Sequence, residues 1–232
     1  MNDLDITAKM LEAAAMHVPF DGWSEATFAA AAKDADVELG VARAAFPRGA
    51  VDLALAFHAA GDAAMVARLD EADLSAMRYS ERVAFAVRTR LEVIEDKEMV
   101  RRGMTLFSLP HYAGDGAQAL WQTCDLIWKT LGDTSNDVNW YTKRATLSGV
   151  YGATVLYWLG DESEGHENTW AFLDRRIEDV MRSEKIKAKA RDNRLLSGLV
   201  KGPEAVMNAV LDRMGPKGDR PKDMPGRWSG PV

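Results

Sequence analysis

The chain has a single cysteine, Cys124, in 232 residues, so no intramolecular disulfide framework and no cysteine-built metal site can form. That usage suits a reducing compartment. Histidine is nearly as scarce. His17, His58, His111 and His166 are scattered, and none forms the paired arrangement of a helical metal site: "HENTW" at His166 lacks the second histidine of a zinc-protease motif, and no Glu-x-x-His pair is present for a bundle di-iron centre. Long apolar runs are missing too, none reaching the ~18 residues of a membrane-spanning helix. The opening "MNDLDITAKMLEAAAM" has neither Arg-rich transit character nor a signal-peptide apolar block, so the expectation is a protein with no cleaved leader, in the cytoplasm. Positive charge is in deficit, with 29 Lys and Arg against 35 Asp and Glu, which argues against general nucleic-acid affinity. Alternating β-branched stretches are absent, which argues against a sheet.

Helical periodicity fills almost everything else. The pattern predicts helices over residues 4–17, 24–34, 38–46, 50–70, 78–95, 97–107, 114–131, 137–160, 167–183 and 186–212, the last broken at Gly202-Pro203. Ser24 is placed to cap the second of these. "LPHYAGDG" and "GDTSND" separate later ones, and the Pro/Gly-rich end reads as a mobile tail. Charge is unevenly spread: residues 1–60 carry four cations against nine acids, and residues 184–232 eleven cations against six acids. A basic C-terminal stretch on an acidic body is suited to an anionic partner.

The first 60 residues run helix, Gly-Trp turn, Ala-rich helix, short helix ending in Phe-Pro, then a long helix. This layout resembles the helix-turn-helix head of Tet-repressor-type regulators. Reading DNA requires Lys, Arg and polar side chains facing phosphates and base edges. The candidate recognition segment "VELGVARAAF" offers only Glu38 and Arg43, too few cations to release counterions. The head therefore reads as scaffold, with no nucleic-acid partner. "GDGAQA", residues 114–119, fits the dinucleotide glycine pattern but follows "SLPHY" instead of a strand, so it reads as a helix N-terminus. Cys124, between Trp121 and Trp128 at helical spacing, reads as a core residue. Nothing here forms a catalytic constellation or a cofactor site.

What remains is the helix over residues 137–160. Trp140, Leu147, Tyr151 and Trp158 share one side with Arg144, while Tyr141, Ala145, Ser148, Gly152, Val155 and Leu159 share another. A central helix buried on most sides accounts for Leu147 onward. It accounts less well for Lys143 and Arg144, types rarely buried in full, beside Trp140 and Tyr141, types common at interface hot spots. Core helix and partner surface both stay open on these grounds.

"TSNDVNWYTKRATLSGVYGAT" and "ENTWAFLDRRIEDVM" resemble the signature of the ninth coenzyme Q protein family, lipid-binding accessory proteins of ubiquinone biosynthesis. The first run reads Asp137, Val138, Asn139, Trp140, Tyr141, Thr142, Lys143, Arg144, with Val138 where an aromatic is usual. The second reads Thr169, Trp170, Ala171, Phe172, Leu173. "DGWSEATFAAAAKDADV", "LFSLPHYA" and "DLIWKTLGD" follow in matching order, so the likeness covers residues ~10–183.

The resemblance implies an all-α, Tet-repressor-like bundle with no enzymatic activity and no cofactor. It implies a degenerate head over 1–60, a lipid-binding and dimerising helical domain over 61–183, a membrane-contacting amphipathic helix over 184–213, and a flexible tail over 214–232. Asp125, Ile127, Trp128, Asp137, Asn139, Trp140, Tyr141 and Arg144 would bind a partner, the hydroxylase acting on demethoxyubiquinone. Leu106, Val150, Tyr151, Val155, Leu156, Trp170 and Phe172 would line the pocket for an isoprenoid or phospholipid. Lys187, Lys189, Arg191, Arg194, Leu195, Leu196, Leu199, Val200, Val206 and Val210 would meet a membrane surface, leaving a homodimer peripheral to the inner membrane. A ligand-responsive Tet-type regulator is the alternative.

Overall fold

Alanine-rich sequence with polar punctuation folds as expected into helices. In the computed structural model, residues 3–135 and 138–192 are described, with side chains at 5–135 and 140–183. α1 (Asp3–Ala15) leads into a one-turn α2 (Val18–Asp21), which sequence reading passes over because four residues give no period. Gly22 then takes a φ of 67°, and the Ser24 hydroxyl accepts from the Thr27 amide at 3.1 Å to cap α3 (Glu25–Asp34). There follow α4 (Leu39–Ala45), α5 (Ala50–Glu71), α6 (Tyr79–Glu92), α7 (Lys97–Phe107), α8 (Ala113–Thr130) and α9 (Val138–Leu159). A 3-10 turn at Glu164–His166 introduces α10 (Glu167–Asp192). Among the described residues there is no strand. The break expected after residue 183 is absent: residues 167–192 contain neither Gly nor Pro, and Ala, Lys, Arg and Glu propagate the helix.

The chain divides into units over 1–180 and 181–232. The second begins in the last turns of α10. Lys187, Lys189 and Arg191 fall on its helical backbone, but their side chains, and Arg194 through Val210 altogether, lie outside the described residues. The first unit holds two apolar cores. Met10, Phe28, Phe46 and Leu53 of the head build one together with Met99 of α7. Met65, Leu91, Ile127, Leu147, Trp158 and Leu173 build the other. α5 serves both, so the expected boundary at residue 60 falls inside a continuous helix. The expectation that no stretch reaches membrane-spanning length is corrected here, since by length and composition α5 is apolar enough to cross a membrane. Here it packs against α1, α6 and α8, which accounts for its apolar character.

The head supplies the chemistry of α4. Its one cation, Arg43, pairs with Glu25 and lies over the Phe28 ring. Leu39 and Val41 are exposed beside it. Apolar groups and a neutralised arginine offer little to phosphate oxygens.

Candidate functional site

Five helices and one turn enclose an apolar cavity of about 330 Å³, at the small end of the ~300–1,000 Å³ typical of ligand pockets. Phe57 comes from α5, Leu91 from α6, Met99, Val100, Met104 and Phe107 from α7, Leu120 from α8, and Tyr151 and Val155 from α9. Trp23 closes it from the head, its indole donating to the Met99 carbonyl at 3.1 Å. Small residues shape the walls. A Cβ at Gly116 would stand 2.7 Å from the Phe107 Cβ, so glycine permits the close approach of α7 and α8. At Gly152, on the α9 wall, a Cβ would meet nothing within 4 Å.

One stretch of the wall is polar. His58 and Asp62 lie four residues apart on α5 and therefore on one face. Arg90, on α6, donates from Nε to Asp62 at 2.6 Å and from Nη2 to the His58 carbonyl at 3.0 Å. The Thr123 hydroxyl donates to Asp62 at 2.9 Å and lies 2.7 Å from His58 Nε2. Burial, reinforced by the Arg90 charge, holds the His58 imidazole below its usual range and therefore neutral near pH 7. Arg90 is itself buried, and its Nη1 has no hydrogen-bond partner. A Cβ at Gly61 would stand 2.7 Å from that Nη1, so the guanidinium rests on bare α5 backbone. Cys124 is buried nearby with its thiol pushed up to about 11, chiefly by burial, which makes it a poor nucleophile.

A second feature lies where α8 and the start of α9 meet. Trp140 packs against Trp121 at 5.9 Å and edge-on to Tyr141 at 4.7 Å. Tyr141 is 58% exposed, while Trp140 is half-buried beneath the Arg144 guanidinium, 4.1 Å from its ring centre. Arg144 is only 1% exposed, which corrects the expectation of an accessible contact residue. It is buried because two carboxylates receive it: Nε donates to Asp125, and Nη1 donates to Asp133 at 3.1 Å. Lys143 completes the network by donating to Asp133 at 2.6 Å, and Lys129 pairs with Asp125. Burial alone would raise the Asp133 carboxyl, but hydrogen bonds from Lys143, Ser135 and Arg144 outweigh it and hold it at about 2.

Of the expected partner-binding residues, Ile127 and Trp128 are likewise buried, as core beneath this surface. Asp125 is committed to Arg144 and Lys129. Asp137 and the Asn139 side chain lie outside the described residues. Trp140 and Tyr141 remain, joined by Trp121, whose spacing four residues before Asp125 was legible in the sequence.

The expected pocket residues divide as well. Tyr151 and Val155 line the cavity. Val150 is buried in the main core, and Leu106 packs against the head core. Leu156 is 61% exposed, because one residue beyond Val155 turns ~100° away around the helix. Trp170 donates to the Gly165 carbonyl at 2.7 Å, and Phe172 stacks on Tyr157 at 4.6 Å, so neither reaches the cavity. On α7 the expectation names Leu106 and misses the side that lines the cavity. Its Met99, Val100, Gly103, Met104 and Phe107 recur at helical spacing along one side, a stripe that reads equally as ordinary core.

Comparison with known proteins matches these elements. The COQ9 family model fits residues 113–184, from α8 into α10. "Ubiquinone biosynthesis protein COQ9, mitochondrial" of Xenopus tropicalis is 34% identical over 181 residues, covering 75% of this chain and 57% of that protein. The Drosophila melanogaster protein of that name is 32% identical, covering 76% and 55%. The Homo sapiens protein is 32% identical, covering 75% and 57%. The chain thus spans little more than half the length of these curated relatives. Among solved structures, a TetR transcriptional regulator from Nitrosomonas europaea superposes with a TM-score of 0.62 over 74% of this chain and 95% of its own, at 19% identity. That likeness concerns the fold alone. Residues 113–184 match the COQ9 family model, and the chain that carries them is similar to COQ9 proteins in sequence on a Tet-repressor-like, all-α frame.

Proposed function

We propose that this protein is a non-enzymatic, lipid-binding accessory factor of ubiquinone biosynthesis. It holds an isoprenoid-bearing quinone precursor and presents it to the hydroxylase that acts on demethoxyubiquinone. The observation that carries this reading is the apolar cavity in a COQ9-like chain. A prenylated precursor is nearly insoluble in water, and a ring buried in a bilayer is out of reach of a peripheral hydroxylase. An apolar chamber lowers the cost of removing the lipid, since each Å² of apolar surface shielded from water is worth roughly 25 cal/mol.

The reading adds a docking role for Trp121, Trp140 and Tyr141, whose ring faces are of the kind that anchor protein partners. It also assigns the basic C-terminal segment to the surface of the inner membrane, with the protein acting as a homodimer. The acidic head and paired Arg43 weigh against the regulator alternative. Mass spectrometry of lipid extracted from protein purified out of its native cells tests the central claim. An isoprenoid quinone-type species in amounts comparable to the protein is expected. An extract holding no such lipid would overturn the proposal.

A further inference from the structure

Trp23 takes part in two bodies of packing at once. On one side it joins Phe28 and Met99 in the head core, and on the other it stands in the wall of the cavity. It is 6% exposed, and its ring centre lies 5.6 Å from that of Phe57 on α5.

The turn that carries it is fastened from several directions. Gly22, at a φ of 67°, turns the chain just before the indole, and its carbonyl accepts from the Thr27 hydroxyl at 2.7 Å. Arg102 of α7 donates to the Pro19 carbonyl from Nε at 3.2 Å and from Nη2 at 2.9 Å. Three residues earlier on α7, the Met99 carbonyl accepts from the indole N–H. The head is thus tied to α7 on both sides of the Gly22 turn, and the ring cannot swing aside without giving up a buried hydrogen bond. Met99 and Met104, in the same wall, are unbranched and adapt to whatever fills the space. The indole holds its place.

We propose that Trp23 is the end-stop of the cavity and sets the longest apolar chain that it admits. The inference rests on the lipid-binding reading above, and it gives a head with little to offer phosphates a part in choosing the ligand. A chain gains about fourfold in affinity for each methylene it buries. Once its terminus meets the indole, a further methylene must either break the Trp23 bond or stay outside.

Straight-chain 1-alkanols of six to sixteen carbons test this, measured by displacement of N-phenyl-1-naphthylamine from the full-length protein. Affinity is expected to climb with each carbon to a limiting length, then to fall at least tenfold within the next two. In Trp23→Leu that limit should move up by two carbons or more. It should stay in place in Leu120→Ala, which enlarges the cavity at its α8 wall instead. If Trp23→Leu does not fold by circular dichroism, the unaltered protein decides. An alkanol of limiting length with a diazirine at its chain terminus should then label Trp23, Phe57 or Met99 on irradiation. A series without a limit, the same limit in Trp23→Leu, an equal rise in Leu120→Ala, or labels that all fall elsewhere would each sink the proposal while leaving a lipid cavity. If neither the naphthylamine nor any alkanol binds, the lipid reading itself falls.

Discussion

Arg144 and Tyr141, three residues apart on α9, contribute in opposite ways. Arg144 bridges two carboxylates from within, at 1% exposure. Replacing it with Met breaks a buried network, for which a loss of about 3 kcal/mol is expected, the low end for such pairs because each carboxylate keeps a lysine. Tyr141 is exposed, so Tyr141→Ala should shift stability by less than ~1 kcal/mol. If the docking role holds, it should weaken hydroxylase capture by ~2 kcal/mol, as a hot spot does. Melting curves and pull-downs on the two variants check both halves, and normal capture by a folded Tyr141→Ala protein would remove Tyr141 from the docking surface. Asp133 makes this network sensitive to acid. Its carboxyl titrates at about 2 in the folded protein against an ordinary 3.8. The stability it contributes is therefore complete above pH ~4 and lost as pH falls toward ~2. The melting temperature should drop across that window, and less steeply in Asp133→Asn. The sequence displays these residue types together but not their solvent exposure. Arg144 disappears inward only because Asp125 and Asp133, 19 and 11 residues away, converge on it.

At the scale of elements, α3 and α7 begin where local chemistry says they should, at Ser24 and Asp96, each capping with its own side chain. Those starts are legible because a cap needs only neighbours in sequence. The closeness of α7 to α8 is not legible, since it depends on Gly116 meeting Phe107 across a turn. Gly116→Ala tests it. Helix propensity alone would favour the alanine by roughly 1 kcal/mol. Yet its Cβ would stand 2.7 Å from Phe107 Cβ, an atom fixed to the α7 backbone. A net destabilisation of about 1–3 kcal/mol is therefore expected from overpacking, measurable by urea unfolding. A gain in stability would mean that the two helices separate easily.

For the whole molecule, a Tet-repressor-like frame carries a head whose α4 offers a single cation, already paired with Glu25. Duplex titrations should give no specific complex and no steep salt dependence, since so few phosphates can be neutralised; a nanomolar footprint would reverse this view. The likeness to the frame was readable from the head's layout, and the site only in part. Tyr151 and Val155 were foreseeable, whereas Phe57, Leu91 and Leu120 meet through the packing of five helices and leave no local trace. The emptiness beside Gly152 then acquires a meaning of its own. A helix interior gains roughly 1 kcal/mol when glycine becomes alanine, and here the added methyl would enter open space. Gly152→Ala and Gly152→Leu are thus expected to raise the melting temperature while progressively reducing uptake of an apolar ligand. If the lipid-binding proposal holds, the protein stands below its attainable robustness at this position, and the difference is what leaves room for a guest.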